Sequence, residues 1–423
     1  MSMISAACVV AGAAVGASAR NRAPILLPTP PSMLAKAALP KAFAAWLPTF
    51  EAHARQAGIG AATLAAAFRH VRYNAKVVAL DDYQPEFVKP VGFYVQSRTT
   101  PAAIAKGRAL AARHRALFDR VEKAYGVPRE YLLAIWRVET GYGARFGGFN
   151  IIEALATLAF HGRRKGFWTD QLMAALRILD RGDVRLDEMR GSWAGAMGHT
   201  QLIPTTYLKR AVDFDGDGRR DLWGSLADAF ASTANYLKQS GWRPGMPFGV
   251  EVRLPPGFDY SRAHIGVRQP VAAWRKAGVT LADGKPLPDY SGDTSVVVPA
   301  GHRGPAFLVT TNYRALLHYN NAASYAMTVG ILAERIAGRG RVVRPWPNHD
   351  RLLRREQKEE LQRRLAALGY DPGPIDGKVG SATRAAIRDF QKKLGNPADG
   401  YADFALLQLV RRRQPKNSKK TGE

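Results

Sequence analysis

Cysteine is nearly absent. Cys8 is the single one in 423 residues, and it falls in an N-terminal stretch that reads as a removable leader. No disulfide can then form within the mature chain, and a cysteine-based metal site is excluded. Acidic residues are also scarce: Lys and Arg number 61 against 35 Asp and Glu, a net charge of +26. Such a field favours polyanions, whether nucleic acid, an anionic membrane surface or an acidic cell-wall polymer. The basic residues are spread along the chain and nowhere interleaved with aromatics, which argues against nucleic acid. Beyond the N-terminus no apolar run is long enough to span a bilayer. Core-forming residues are plentiful, with 46% hydrophobic over a length that suits two domains or one large domain with an appendage.

Residues 1–19 are small and apolar and end Ala17-Ser18-Ala19 before Arg20, the pattern of a secretory signal peptide with an Ala-x-Ala cleavage site. This predicts a periplasmic product. Too few residues precede Cys8 to form the apolar core of a lipoprotein signal, which argues against lipid anchoring. Residues 20–35, with Pro24, Pro28, Pro30 and Pro31, read as a linker. Helical periodicity starts at Lys36 and runs through Phe43, Leu47 and Phe50. Asp81 to Phe87 reads as a turn, and residues 104–125 as one long amphipathic helix. Helices are predicted again at 151–161 and 170–179.

Residues 248–310 change character, with frequent Pro and Gly and β-prone runs at 250–254, 294–298 and 307–310. They predict a small strand-containing insertion within a larger domain spanning 36–338. Helical pattern returns over 319–336. Residues 339–352, with Gly340, Pro345 and Pro347, read as a second linker. Residues 353–411 read as a small module of three helices that lacks an acid/base set, as binding modules do. Residues 412–423 form a basic tail.

The chemistry centres on Glu139. Pro128 can open a helix in its first turn, and Gly141 or Gly143 can close it with a left-handed cap. Leu132, Ile135 and Glu139 fall at i, i+3 and i+7, which puts a carboxylate on the apolar face near the helix C-terminus. Burial and the negative end of the helix dipole both favour the protonated form, and a neutral acid is what general-acid catalysis needs. The competing reading pairs Glu139 with Arg137 or Arg145 on a solvated rim.

Residues 191–207 are rich in small residues, with Gly191, Gly195 and Gly198 able to admit close backbone approach. Ser192 and Gln201 can hydrogen-bond there but are poor acids or bases. The stretch is either a groove wall or a tight packing corner. Asp213, Asp215 and Asp217, followed by Gly218, have the spacing of a calcium loop, with glycine also at Gly216 and the carbonyl of Arg219 at position seven. Gly224 replaces the usual bidentate Glu at position twelve, and Asp228 is the residue that could close the shell. An Asp/Gly turn held by its own hydrogen bonds and by Arg219 and Arg220 explains the same residues. Both readings stay open, and any ion there would be structural.

Together these motifs resemble the lytic murein transglycosylase B family. The resemblance is carried by Val138 to Gly143, Gly191 to Tyr207, Asp213 to Trp223, Ala234 to Leu237 and Tyr319 to Ala326, in the family's order. The C-terminal segment resembles a peptidoglycan-binding module through Gln362, Leu365, Gly369-Tyr370, Asp376-Gly377, Gly380 and Phe390-Gln391. The resemblance implies an α+β, mostly helical, lysozyme-like fold and cleavage of the β-1,4 bond from N-acetylmuramic acid to N-acetylglucosamine without water. Glu139 takes the family's position of catalytic acid and base, no cofactor is required for the chemistry, and the product is a 1,6-anhydromuramoyl end. Ser192, Gln201, Tyr319, Asn320, Tyr325 and Tyr94 match substrate-groove residues. The family's calcium loop maps to Asp213, Asp215, Asp217, Arg219 and Asp228. His199 is assigned no role.

Ordinary glycosidases place a second carboxylate about 5 Å or about 6.5–9.5 Å from the acid. Only Glu153 and Asp170 are near in sequence, and both read better as helix-surface residues. The expected partners are glycan strands, with cell-wall synthesis or division proteins as further candidates, and neither nucleic acid nor a transmembrane segment is expected. The alternatives are a muramidase acting on the same bond and a wall-binding protein without activity.

Overall fold

The structure is a computed structural model and describes residues 33–82, 90–162 and 164–413. The leader with Cys8, nearly all of the first linker, most of the 81–87 turn and the basic tail beyond Arg413 lie outside the described residues. The chain divides into two compact units. Of the described residues, one takes in 33–82 and 138–235, the other 90–137 and 236–413.

In the first unit the centre is the helix Ile151–His161, which matches the predicted span. Asn150 caps it, its side chain accepting from Glu153 N at 3.0 Å. Ile151, Ile152, Leu155 and Leu158 are fully buried, so neighbours cover this helix on every side. One neighbour is Lys165–Asp180, which begins earlier than the predicted 170. Another is Met33–Gln56, whose Phe43 and Trp46 meet Phe160 at ring distances of 5.5 and 5.7 Å. That helix starts at Met33, inside the stretch read as linker up to residue 35.

In the second unit, residues 104–125 form two helices, Pro101–Arg113 and Arg115–Tyr125. The break is His114, whose backbone (φ −108°, ψ 28°) leaves the helical region. The insertion is a four-stranded antiparallel sheet in the spatial order Thr280–Leu281, Gly249–Arg253, Ala306–Val309, Ser295–Val297. Its register pairs Gly249 with Val309 and Val252 with Ala306. Val252, Val296 and Leu308 bury one face against Trp274 of the short helix Val271–Lys276. Three of these strands fall where the β-prone runs lie.

The helix read over 319–336 begins at Ala323 and runs to Ile336, and a separate helix not predicted, Thr311–Tyr319, precedes it. Thr310 caps that preceding helix, accepting from Asn312 N at 3.1 Å, and the extended backbone of Asn320 (φ −145°) ends it. The C-terminal module packs Arg355–Ala367, Ser381–Lys393 and Phe404–Arg411 around Leu361, Leu365, Ile387, Phe390 and Leu407. Its glutamines act as internal staples. Gln362 Nε2 donates to Pro374 O at 2.9 Å while its Oε1 accepts from Gly377 N at 2.9 Å. Gln391 does the same between Asp399 (2.8 Å) and Gly400 (2.9 Å).

The second linker is fixed along its length. The Glu251 carboxylate accepts from Val343 N at 2.6 Å and Arg344 N at 2.8 Å. Trp346 is 9% exposed and stacks on Phe307 at 6.1 Å. A Cβ on Gly92 would lie 2.4 Å from the Trp346 Cβ, so glycine is needed for this approach. Composition alone pointed to a free tether, because nothing local shows that an indole will find a partner far along the chain.

Candidate active site

Glu139 is the penultimate residue of the helix Arg129–Thr140 and is 4% exposed. From Tyr131 to Thr140 every residue but Arg137 is buried, so the helix is enclosed all round rather than amphipathic. A solvated rim for Glu139 is thereby ruled out. Beyond it the chain takes three consecutive left-handed residues, Gly141, Tyr142 and Gly143, at φ 67°, 64° and 76°. Tyr142 is a bulky, buried residue in a region that disfavours side chains. Such strain persists only where the surroundings over-determine it, and it clusters at functional sites.

The surroundings are visible. Thr140 Oγ1 donates to His199 O at 2.8 Å and accepts from Gly143 N at 3.1 Å. Gln201, the other non-glycine residue with positive φ among the described residues (56°), donates from Nε2 to Phe146 O at 3.1 Å and Gly198 O at 2.9 Å. The rings of Phe146 and His199 meet edge to face at 4.7 Å. The loop after Glu139 and the 191–207 stretch are thus laced together. The glycines there serve this packing: a Cβ on Gly147 would fall 2.1 Å from Gly191 O, and one on Gly191 would fall 2.1 Å from Ala196 O. Ser192 is 5% exposed, and its Oγ accepts from Ala196 N at 2.9 Å.

Thr140, Tyr142 and His199 are supports that the sequence reading passed over. The signal available was position, since they flank Glu139 and Gln201. Burial holds the His199 imidazole down at about 4, against the opposing pull of Asp221. Neither carboxylate near Glu139 in sequence suits a second catalytic role. Glu153 Oε1 accepts from Asn74 Nδ2 at 2.8 Å, and Asp170 is exposed.

Tyr319, Asn320, Tyr325 and Tyr94 belong to the other unit. Tyr319 lies between two rings, Tyr236 at 4.9 Å and Tyr325 at 6.2 Å with an interplanar angle of 4°. Tyr236 Oη donates to His318 O at 2.8 Å and fixes the end of that helix. Asn320 is 6% exposed. Tyr94 is half-buried beneath the Arg98 guanidinium, 3.6 Å above its ring.

In the acidic loop, oxygens of Asp213, Asp215, Asp217 and Asp228 all lie within 4.8 Å of one another. Calcium–oxygen bonds of about 2.3–2.6 Å put opposed ligands about 5 Å apart, so the donor set suits that ion. Asp228 is fully buried, accepting from Phe214 N at 2.7 Å and Asp221 N at 2.8 Å, and burial pushes its carboxyl up to about 6. The turn's own hydrogen bonds are also present, with Asp213 accepting from Gly216 N (2.7 Å) and Gly218 N (2.8 Å). The geometry is compatible with either reading. The arginines act differently from expectation: Arg220 Nη2 bonds Asp183 Oδ2 at 2.5 Å and Arg219 Nη2 reaches Asp183 O at 3.4 Å. They anchor the loop to the turn after the helix Lys165–Asp180, while Asp215 Oδ2 accepts from Ser225 Oγ at 2.6 Å and Asp217 Oδ1 from Arg219 N at 2.8 Å.

The profile of the transglycosylase SLT domain family matches residues 42–334. The chain belongs to this family. A putative peptidoglycan binding domain matches residues 354–410. The membrane-bound lytic murein transglycosylase B of Escherichia coli K12 is 32% identical over 251 residues, which are 58% of this chain and 66% of that enzyme, just under two thirds of its length. The crystal structure of SltB3 from Pseudomonas aeruginosa, in complex with NAG-anhNAM-pentapeptide, superposes with a TM-score of 0.85 at 51% identity, covering 87% of this chain and 99% of that one. The Escherichia coli lytic transglycosylase Slt35, solved in complex with calcium, superposes at 0.59 with 27% identity over 69% of this chain and 92% of that one. The family and fold expected from the motifs are met.

Proposed function

We propose that this chain is a lytic transglycosylase that cuts peptidoglycan with Glu139 as its single acid and base. The observation that carries the reading is a carboxylate buried to 4% exposure at a helix end, on a strained and hydrogen-bonded turn, in a chain of this family. In this reading Glu139 is the acid that supplies the proton the glycosidic oxygen needs. As the bond from C1 of N-acetylmuramic acid to O4 of N-acetylglucosamine breaks, that proton passes to O4. The substrate's acetamido oxygen covers the cationic C1. Glu139, now a carboxylate, takes the proton from the C6 hydroxyl, and O6 closes on C1. Atoms balance without water: one sugar leaves with a free 4-hydroxyl, the other ends as a 1,6-anhydro ring, and Glu139 is protonated again. That Glu153 is bonded to Asn74 and Asp170 is exposed supports this route over one in which either activates water.

Within this reading, Ser192, Gln201, Tyr319, Asn320, Tyr325 and Tyr94 hold the glycan. Residues 36–338 form the catalytic part and 353–411 a wall-binding part. Asp213, Asp215, Asp217 and Asp228, with the carbonyl of Arg219, hold a calcium ion that stiffens the loop and takes no part in the chemistry. The enzyme works in the periplasm on glycan strands, where division or synthesis proteins recruit it. The described residues contain no helix long and apolar enough to cross a membrane. The test is mass spectrometry of products released from purified sacculi by wild type and Glu139→Gln. Anhydro products from wild type alone are expected. Reducing products of full mass would point to a muramidase, and sacculus binding without release would point to a wall-binding protein.

A further inference from the structure

Asp228 takes no part in the chemistry above, yet it stands at one end of a run of hydrogen bonds whose other end is the turn behind Glu139. It is fully buried, and both its oxygens face backbone amides. Oδ1 accepts from Phe214 N at 2.7 Å and Oδ2 from Asp221 N at 2.8 Å. Asp221 folds the residues after it, its Oδ1 accepting from Trp223 N and Gly224 N at 2.8 Å each. Leu222, fully buried between these bonds, accepts from His199 N at 2.9 Å through its carbonyl. His199 is bonded on both sides of its backbone, because its own carbonyl accepts from Thr140 Oγ1 at 2.8 Å. Thr140 follows Glu139 directly, and its hydroxyl accepts from Gly143 N at 3.1 Å. The whole run lies within residues 138–235 of one compact unit.

The crossing in the middle is tight and well footed. A Cβ on Gly198 (φ 68°) would lie 2.4 Å from Leu222 O, so the two backbones meet with no side chain between them. Trp223 Nε1 donates to Arg190 O at 2.8 Å, and Arg190 pairs with Asn150 in the short two-stranded ladder. The far end needs such a footing, since Gly141, Tyr142 and Gly143 are all left-handed and this conformation lasts only where neighbours impose it. Coupling between separated places runs through contiguous hydrogen-bonded and packed groups of this kind.

On the reading of Glu139 as acid and base, we propose that Asp228 is its positioning residue. Asp228 fixes Asp221 and Leu222, Leu222 fixes the backbone of His199, and His199 fixes Thr140 and the left-handed turn. An amide in place of the carboxylate has a single acceptor oxygen, so Phe214 N or Asp221 N loses its partner and the crossing loosens. Glu139 then leaves its productive orientation, which lowers kcat and spares glycan affinity. Asp213, Asp215 and Asp217 repel Asp228 unless a cation holds the four together, so calcium, where it binds as read above, stiffens the same strut.

The test is amide hydrogen exchange of the full chain, resolved to single amides, first in chelator and then with calcium. In chelator, Gly143 and His199 of Asp228→Asn are expected to exchange at least about tenfold faster than in wild type, while the buried helix Ile151–His161, which reports global opening, stays within about twofold. Gly198→Ala breaks the strut at its crossing and touches neither the carboxylate nor the hydroxyl, and it should give the same pattern at Gly143. Calcium should slow both amides in wild type and neither in Asp228→Asn. On soluble glycan chains Asp228→Asn should lower kcat at least about tenfold with KM within about twofold. Wild-type exchange at Gly143 in Asp228→Asn overturns the proposal. So does acceleration shared equally by the Ile151–His161 helix, which would make Asp228 a general stabiliser. If calcium changes nothing in wild type, the calcium reading fails, and the chelator comparison still decides the positioning role. If wild type releases no anhydro product, the catalytic reading fails, while exchange still shows whether the turn depends on Asp228.

Discussion

Thr140→Val removes one oxygen and little volume, and it probes the turn behind Glu139. Thr140 is 3% exposed, and its Oγ1 links His199 O at 2.8 Å with Gly143 N at 3.1 Å. Valine leaves a carbonyl and an amide without this partner, and each orphaned buried group costs about 1–3 kcal/mol. Partial relaxation brings the expected loss to about 2–4 kcal/mol. At roughly 2–4 °C per kcal/mol for a unit of this size, the melting temperature should fall by roughly 4–16 °C. The released energy is what holds Gly141 to Gly143 in their left-handed run, so Glu139 loses its fixed orientation. Product release from sacculi should drop about tenfold or more at temperatures where the variant is still folded. Thr140→Ser keeps the hydroxyl and should stay close to wild type in both measurements. A valine variant with wild-type melting and wild-type turnover would refute the argument that this hydroxyl secures the turn.

Trp346→Ala should destabilise the second unit by about 3 kcal/mol, because it strips the ring stacked on Phe307. Limited proteolysis should then cut within residues 339–352, where wild type is expected to resist because Glu251 and Phe307 hold the segment. Calcium at a hundred times its dissociation constant should stabilise the protein by about 2.7 kcal/mol in chemical denaturation. Asp228→Asn should abolish that gain, and an equal gain in both proteins would place the ion elsewhere. His199 is held at about 4, below its usual 6.5, so the unfolded chain binds its proton first. Its stabilising contribution is complete above about pH 6.5 and is lost as pH falls towards 4. His199→Phe should flatten the stability profile across that window, and a profile identical to wild type would contradict the assignment.

Features set by local chemistry could be read before any coordinates. The apolar run over 151–161 predicts the helix Ile151–His161, and three β-prone runs predict three of the four insertion strands. Glu139 was found because a carboxylate stood at an apolar helical spacing before glycines. What escaped depends on distant partners. The two-residue strand Thr280–Leu281 is too short to show alternation and exists because Gly249–Arg253 is beside it. The enclosure of the Glu139 helix on every side is a property of its neighbours and does not show in its own pattern. The Thr311–Tyr319 helix was missed although Thr310 caps it, because its polar Asn312, Tyr313 and Arg314 blur the apolar stripe. Trp346 turns a linker into a strap through a contact with Phe307 that no local motif encodes. At the acidic loop, sequence spacing found the four carboxylates, but the arginines' link to Asp183 required the fold.

The most direct test of the central claim is the mass of what the protein releases. Sacculi digested by wild type should yield muropeptides lighter by one water than hydrolytic products. Glu139→Gln, which keeps shape but cannot cycle a proton, should lower that release at least about a hundredfold while the protein still binds sacculi. Full-mass reducing products from wild type, or undiminished anhydro release by Glu139→Gln, would contradict the account.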